Sequence, residues 1–544
     1  MPQNCLRFLS FLYFFSFLFV PRLFAEPSRI TSSTDDAPSV WDNACYPLEE
    51  VRAVWLATIG GIDWPRAKAT DVTGIRKQQQ ELCTILNRLQ KANINTVLLQ
   101  TRVRGTVIYP SAIEPWDDCL TGSYGKHPGY DPLAFAIDEC HRRGMELHAW
   151  LVTIPLGTVQ KQRSYGARSI TKQHPELCKT TGGEVFMQPS VSGTADYVAR
   201  LCKEIIDHYD VDGISLDYIR YPESVYHFSD RCSAAERRVN ISRIVQKVHD
   251  VVKSVKPWVK LSSSPIGKYR DLKRYSSGGW NCFNAVYQDP QLWLREGWQD
   301  MLFPMMYFKG NNFYPFLFDW KEHAYGHPVA CGLGVYFLDP REGKWTLNDI
   351  RAQIYTARKS GIGGVCIYRS DFLTRNCKGI YDACCEELFP YPALTPRMTW
   401  GTDTVPPVAP TSLTCADGVL SWKPSRQRSA NEILYNVYGS NVYPVDVTQA
   451  ENLLMVRVKG SRVDLSSRAT GRHYFAVCAT DRFGNQSRPL QEKVVTSLPS
   501  SSEVWNPCSR IGVNGTRLND RMRLVKSAAV RSKAKSGKKR ARKR

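Results

Sequence analysis

The sequence predicts an α/β protein: a (β/α)8 barrel followed by a small all-β sandwich and a basic disordered tail. Three observations carry this expectation. Eight strand-like apolar segments alternate with amphipathic helix-like ones between residues 48 and 390. The segments leaving the strands are long and polar or aromatic, as in 103–130 and 153–194, whereas those leading into them are short, as in 143–145 and 211–212. Past a proline-rich break, the pattern changes to short alternating segments separated by turn residues.

The strands are expected at Val51–Thr58, Thr96–Arg102, Glu146–Leu151, Gly213–Ile219, Val259–Ser264, Met301–Tyr307, Val329–Val335 and Gly364–Tyr368. Apolar residues at helical spacing place helices at Ile75–Lys91, Asp131–Arg143, Ala195–His208, Ser233–Val255 and Leu347–Ser360. Eight such alternations fit a closed barrel better than an open sheet, and no G-x-G-x-x-G follows a strand to suggest a dinucleotide fold. Residues 391–410 hold Pro392, Pro396, Pro406, Pro407 and Pro410 and read as a linker. Residues 411–497 read as the sandwich.

Both ends carry signals of location. Residues 1–25 resemble an export signal, with Arg7, an apolar run from Leu6 to Val20 and Ala25 at a plausible cleavage point; 26–47 form a polar leader. The expected location is therefore the periplasm or cell envelope of a bacterium. The formal charge is +21, and Arg521–Arg544 contains 12 Lys/Arg and no acid. A run of like charge repels itself, so 498–544 is expected to be disordered and to hold an anionic envelope polymer or lipid surface, with no specific nucleic acid. The 17 cysteines are irregularly spaced without a C-x-x-C pair, which disfavours a zinc cluster and leaves buried thiols or one or two disulfides. No cofactor is expected.

Period-two geometry nominates the site. In Asp212-Gly213-Ile214-Ser215-Leu216-Asp217, Ile214 and Leu216 share the face that meets the helices. Asp217 then enters the lumen at the C-terminal end of the fourth strand, where barrel enzymes keep catalytic groups. Arg220 is its nearest candidate partner. The same parity turns Leu98, Gln100 and Arg102 inward on the second strand, His148 and Trp150 on the third, and Met305 and Tyr307 on the sixth. Such a polar ring suits a hydroxyl-rich ligand. Glycosidic cleavage usually needs two carboxyl groups; Glu114 is taken as the second, with Glu223 and Asp371 as other loop carboxylates. There is no G-x-S-x-G or H-E-x-x-H to support a serine or zinc hydrolase.

Several blocks, in order, resemble the bacterial glycosyl-hydrolase-like family ten: Val51-Arg52-Ala53-Val54-Trp55-Leu56-Ala57-Thr58 with Asp63-Trp64-Pro65, Leu99-Gln100-Thr101-Arg102, Tyr109-Pro110-Ser111, Glu114-Pro115-Trp116, Glu146-Leu147-His148-Ala149-Trp150 and Asp212-Gly213-Ile214-Ser215-Leu216-Asp217-Tyr218. Residues 407–422, with Tyr435-Asn436-Val437-Tyr438 and Tyr474-Phe475-Ala476-Val477, resemble fibronectin type III modules. The first resemblance implies an envelope glycosidase acting on peptidoglycan glycan or a similar polysaccharide. In that reading Asp217 and Glu114 are catalytic; Gln100, Arg102, His148, Tyr218, Arg220 and Tyr307 hold substrate, and Trp116 and Trp150 stack on it. The rival expectation is a non-catalytic cell-wall glycan-binding protein with a degenerate barrel.

Overall fold

The computed structural model describes residues 46–223, 230–275, 280–426, 432–465 and 471–491. The expected signal segment and basic tail lie outside them. Eight parallel strands close into a barrel: β1 (Val51–Leu56), β2 (Thr96–Arg102), β3 (Glu146–Val152), β4 (Gly213–Asp217), β5 (Lys260–Ser264), β6 (Met301–Leu302), β7 (Val329–Leu333) and β8 (Gly363–Ile367). β8 pairs with β1, Val51 opposite Gly364, and so removes both sheet edges. β6 is the shortest strand of the barrel, and the chain beyond it keeps isolated backbone bonds to both neighbours, with Phe303 donating to Ser263 and Pro304 accepting from Gly332.

The helical layer comprises α1 (Val72–Lys91), α2 (Pro132–Arg142), α3 (Ser192–His208), α4 (Ala234–Val255), α5 (Pro290–Arg295), α6 (Tyr314–Glu322), α7 (Leu347–Ser360) and α8 (Ile380–Ala383); α1, α2, α3, α4 and α7 lie where the amphipathic segments predict helices, and α5, α6 and α8 lie outside those segments. Local chemistry sets their starts. Asp71 accepts the Gly74 amide, Asp131 accepts that of Ala134, and Ser233 with Glu236 and Thr346 with Asp349 close reciprocal capping boxes. Gly361 ends α7 in the left-handed conformation (φ 64°).

The lumen is filled, not open. Val51, Ala53, Trp55 and Ala57 from β1 and its exit meet Leu98, Trp150, Met301, Phe303, Ala330 and Cys366 in one buried cluster. Beneath it lie charged groups: Lys260 reaches both oxygens of Glu146 at 2.7 and 2.9 Å. The long loop after β3 carries a three-stranded antiparallel sheet of Pro155–Thr158, Glu184–Met187 and Cys178–Thr181.

The C-terminal module stacks two antiparallel sheets: β9 (Thr411–Ala416), β10 (Val419–Lys423) and β13 (Arg462–Asp464) against β11 (Leu434–Ser440), β12 (Leu453–Val458), β14 (Tyr474–Thr480) and β15 (Leu490–Gln491). Leu413, Leu420, Trp422, Tyr435, Val437, Phe475 and Val477 form its core. The proline-rich segment before it is laid as a strap across the N-terminal end of the barrel. There Leu394 exchanges backbone hydrogen bonds with Glu50 and Leu48, Thr395 donates to Glu146 at 2.7 Å and Trp400 donates to Asp300 at 2.8 Å. Two sandwich arginines complete this end: Arg457 pairs with Asp212 and Glu146, and Arg482 lies 2.9 Å from Asp210. A small cavity bounded by Val51, Thr96, Asp300, Pro396 and Trp400 belongs to this seam, at the end of the barrel opposite Asp217.

Candidate active site

Asp217 ends β4 with its side chain in the lumen, in register with Val152 of β3 and Ser264 of β5. Only 5% of it is exposed. Its Oδ2 accepts the Trp150 indole N–H at 2.9 Å, and its Oδ1 accepts the Tyr218 amide at 2.8 Å. Its backbone carbonyl accepts both the amide and the hydroxyl of Thr153. The carboxyl group is thus clamped from the neighbouring strand and from its own next residue. Tyr218 is held at φ 50°, a conformation that crowds a bulky side chain, and this turns the chain sharply out of β4.

Burial raises the Asp217 carboxyl above the ordinary range, and the nearby Arg220 charge, the Tyr218 amide and the Trp150 indole offset it only in part. Arg220 makes no direct ion pair with Asp217, the partnership the sequence suggests. Its Nη2 reaches Glu223 Oε1 at 2.7 Å, and its guanidinium lies 4.4 Å from the centre of the Tyr218 ring.

Aromatic rings wall the other side. Tyr307 and Tyr368 have centroids 5.3 Å apart, Tyr336 lies 5.8 Å from each, and Trp55 meets Tyr368 at 5.9 Å and Tyr307 at 6.4 Å. Burial pushes the Tyr307 hydroxyl well up, with smaller contributions from neighbouring tyrosines and Asp217. The Tyr368 hydroxyl is raised mainly by burial too, and the charges of Tyr218 and Asp217 add to it. Tyr307 and Tyr368 are thus the rings that feel the acid, and Trp55 and Tyr336 pack against them.

Of the residues nominated from sequence, Trp150, Tyr218, Arg220 and Tyr307 gather around Asp217. Others are placed elsewhere. A bulge at Thr101 shifts the register, so Gln100 faces Trp150 but Arg102 faces Leu151. One extra residue reverses side-chain parity, and Arg102 points out of the lumen toward α3. There it holds Glu114 in a two-pronged pair at 2.8 and 2.7 Å, while Tyr197 of α3 donates to Glu114 Oε1 at 3.0 Å. Both charged side chains are 1% exposed. Glu114 is thus the counter-ion that fastens the loop after β2, not a carboxyl presented beside Asp217. Glu114→Gln is expected to cost about 2 kcal/mol of stability, because the buried guanidinium loses its charge partner. Denaturant unfolding should register that loss while kcat/KM stays within a few-fold of wild type.

Gln100 uses its Oε1 to accept the Thr58 and Ile59 amides at 2.9 and 2.8 Å, which pins the loop after β1. His148 lies deeper in the lumen, 3.1 Å from Glu146 and against Phe303. Gly213 is required opposite it, since a Cβ there would fall 2.6 Å from His148 Nδ1. Trp116 is buried in the loop after β2, edge-on to His127. Asp371 is engaged by Arg66 and Arg375.

Sequence reasoning passed over Trp55, Tyr336 and Tyr368. Trp55 and Tyr368 had a usable signal in the inward parity of β1 and β8; Tyr336 stands on a loop and had none. The 14 cysteines among the described residues are all free thiols. No group of three or more His, Cys, Asp or Glu side chains among the described residues could hold a metal.

A family model described as glycosyl hydrolase-like 10 matches residues 50–315. Glycosyl hydrolase YngK of Bacillus subtilis (strain 168) is 28% identical over 480 residues, covering 81% of this chain and 92% of that protein. Glycosyl hydrolase DigH of Escherichia coli (strain K12) is 32% identical over 299 residues, covering 50% of this chain and 67% of that protein. Among solved structures, the PgaB (BpsB) glycoside hydrolase domain from Bordetella bronchiseptica aligns with a TM-score of 0.43 at 12% identity, over 62% of this chain and 98% of that one.

Proposed function

The chain belongs to the glycosyl hydrolase-like 10 family, and on that premise we propose that it is an exported glycoside hydrolase that cleaves the amino-sugar glycan strands of bacterial peptidoglycan, with Asp217 as proton donor. The observation that carries this reading is a carboxyl group at the C-terminal end of β4, buried, raised and clamped by Trp150 and Tyr218. A carboxyl whose burial favours its protonated form can hand its proton to the leaving glycosidic oxygen. Tyr307, Tyr336 and Tyr368 supply flat apolar surfaces for sugar rings, and their hydroxyls supply polar edges.

The second carboxyl group is assigned to Glu223. Its side chain is 50% exposed, and among the described residues Arg220 engages its Oε1 alone, leaving Oε2 to activate water. The leader and the basic tail serve, in this reading, to export the enzyme and to hold it on anionic envelope polymers. The sandwich is read as a fibronectin type III-like spacer.

The deciding experiment is mass spectrometry of products released from purified muramic-acid-containing glycan strands. New reducing ends are expected; binding to insoluble peptidoglycan with no soluble product would favour a glycan-binding protein with an inactive barrel. The donor role has its own test in Trp150→Phe. Losing the indole N–H removes a bond that favours ionised Asp217, so the carboxyl rises further and the alkaline limb of the kcat/KM profile should move to higher pH. A limb that stays put or moves down would remove Asp217 from that role.

A further inference from the structure

The ladder that closes the barrel stops one residue short of the aromatic wall. β1 and β8 are in register from Val51 opposite Gly364 to Val54 opposite Ile367. The next two residues, Trp55 and Tyr368, carry rings of the wall with centroids 5.9 Å apart. Each stays bonded to its other neighbour, Trp55 in register with Leu98 of β2 and the Tyr368 amide donating to Leu333 of β7. Between the two, strand pairing has ended.

Asp63, on the loop after β1, takes over at this point. Its side chain is 0% exposed. Oδ2 accepts the amide of Ala57, two residues beyond Trp55, at 2.9 Å. Oδ1 pairs with Arg369, the residue after Tyr368, and accepts the Asp371 amide at 3.3 Å. Arg369 is fixed in turn, since its Nη1 also donates to the Ile62 carbonyl at 3.2 Å and its guanidinium lies 4.7 Å from the centre of the Phe372 ring. Both carboxylate oxygens are thus used, as a buried charge requires. A pair that merely joined two loops could stand anywhere along them; bonds within two residues of both rings fix where those rings stand.

We propose that Asp63 is a positioning residue for the glycosidase: through Ala57 and Arg369 it holds Tyr368, and the buried Trp55 that backs it, in place for the sugar beside Asp217. This rests on the glycosidase reading of Asp217. Asp63 is too deeply buried to touch substrate, so its effect on turnover passes through the Tyr368 ring.

The test is a double-mutant cycle in the full chain with muramic-acid-containing glycan strands as substrate. Asp63→Asn keeps the shape but removes the charge that holds Arg369. Misplacing a substrate-positioning group by about 1 Å costs on the order of 100-fold in rate, and a fall of about that size in kcat/KM is expected. Tyr368→Leu should also lower kcat/KM, and Asp63→Asn added to it should cost less than about 3-fold more, because the ring it positions is gone. Equal losses in both backgrounds would make Asp63 a loop fastening only and overturn the proposal, as would an Asp63→Asn enzyme as active as wild type. Should Asp63→Asn fail to fold by circular dichroism, Arg369→Lys takes its place in the cycle: lysine keeps the charge but loses the planar group over Phe372, and the same coupling to residue 368 is expected. If wild type releases no product, the glycosidase reading fails separately, and the cycle is read as calorimetric binding of the same strands. Affinity losses at 63 and 368 that do not add support the positioning role; additive losses, or no binding, overturn it.

Discussion

Asp217→Asn is expected to lower turnover of glycan strands by about 10³-fold, the usual scale for removing a positioned proton donor. The replacement keeps the volume and both neighbours, so glycan binding and circular dichroism should be unchanged. It is not free of cost. Both carboxyl oxygens accept N–H groups, from Trp150 and Tyr218, and an amide can satisfy only one with its oxygen while its NH2 faces the other donor. A modest fall in melting temperature should therefore accompany the kinetic loss. Undiminished release of reducing ends would show that the chemistry lies elsewhere.

The second large effect is on stability and arises at the opposite end of the barrel. Arg457 reaches from the sandwich to Asp212 and Glu146, whose side chains are 4% and 3% exposed. Removing one partner of a buried pair strands the other charge, so Arg457→Ala is expected to destabilise the protein by about 3 kcal/mol. Burial by itself would raise both acids, but Arg457 and His141 outweigh it at Asp212, and Lys260, His148 and Arg457 outweigh it at Glu146, so both are held below their ordinary values. Depressed acids contribute stability that is present above their unfolded values, about 4, and lost as pH falls through the folded ones. Without Arg457 the folded values rise, and acid unfolding should begin at higher pH. Unfolding curves at pH 7 and pH 4.5 would register both changes; a variant as stable as wild type at each pH would mean that the sandwich is not fastened through this contact.

This seam also changes what the proline-rich segment does. Prolines at 392 and 396 predict a spacer, because they interrupt hydrogen-bonded ladders. In the structure Ala393 and Met398 are buried and Leu394 bonds to the strand leading into β1. Proline stiffens a strap as readily as it stiffens a linker, and composition does not distinguish them.

The barrel was legible because its information is local. A period of two marks the strands, a period near 3.6 marks the long helices, and aspartate, serine or threonine caps the starts of α1, α2, α4, α5 and α7. That periodicity also determined that Asp217 and Trp150 face the lumen, since parity along an unbroken strand leaves no other choice; Tyr307 lies beyond the end of β6, and the folded chain decided its place. The tertiary structure alone decided the fates of Arg102, Glu114 and Arg457. A bulge at Thr101 reverses parity through the pairing of two strands distant in sequence, and which cation neutralises which buried acid depends on chain segments up to 311 residues apart. Local pattern names the side chains that can reach the lumen; only the folded chain determines which charges are already paired there and which remain free for a ligand.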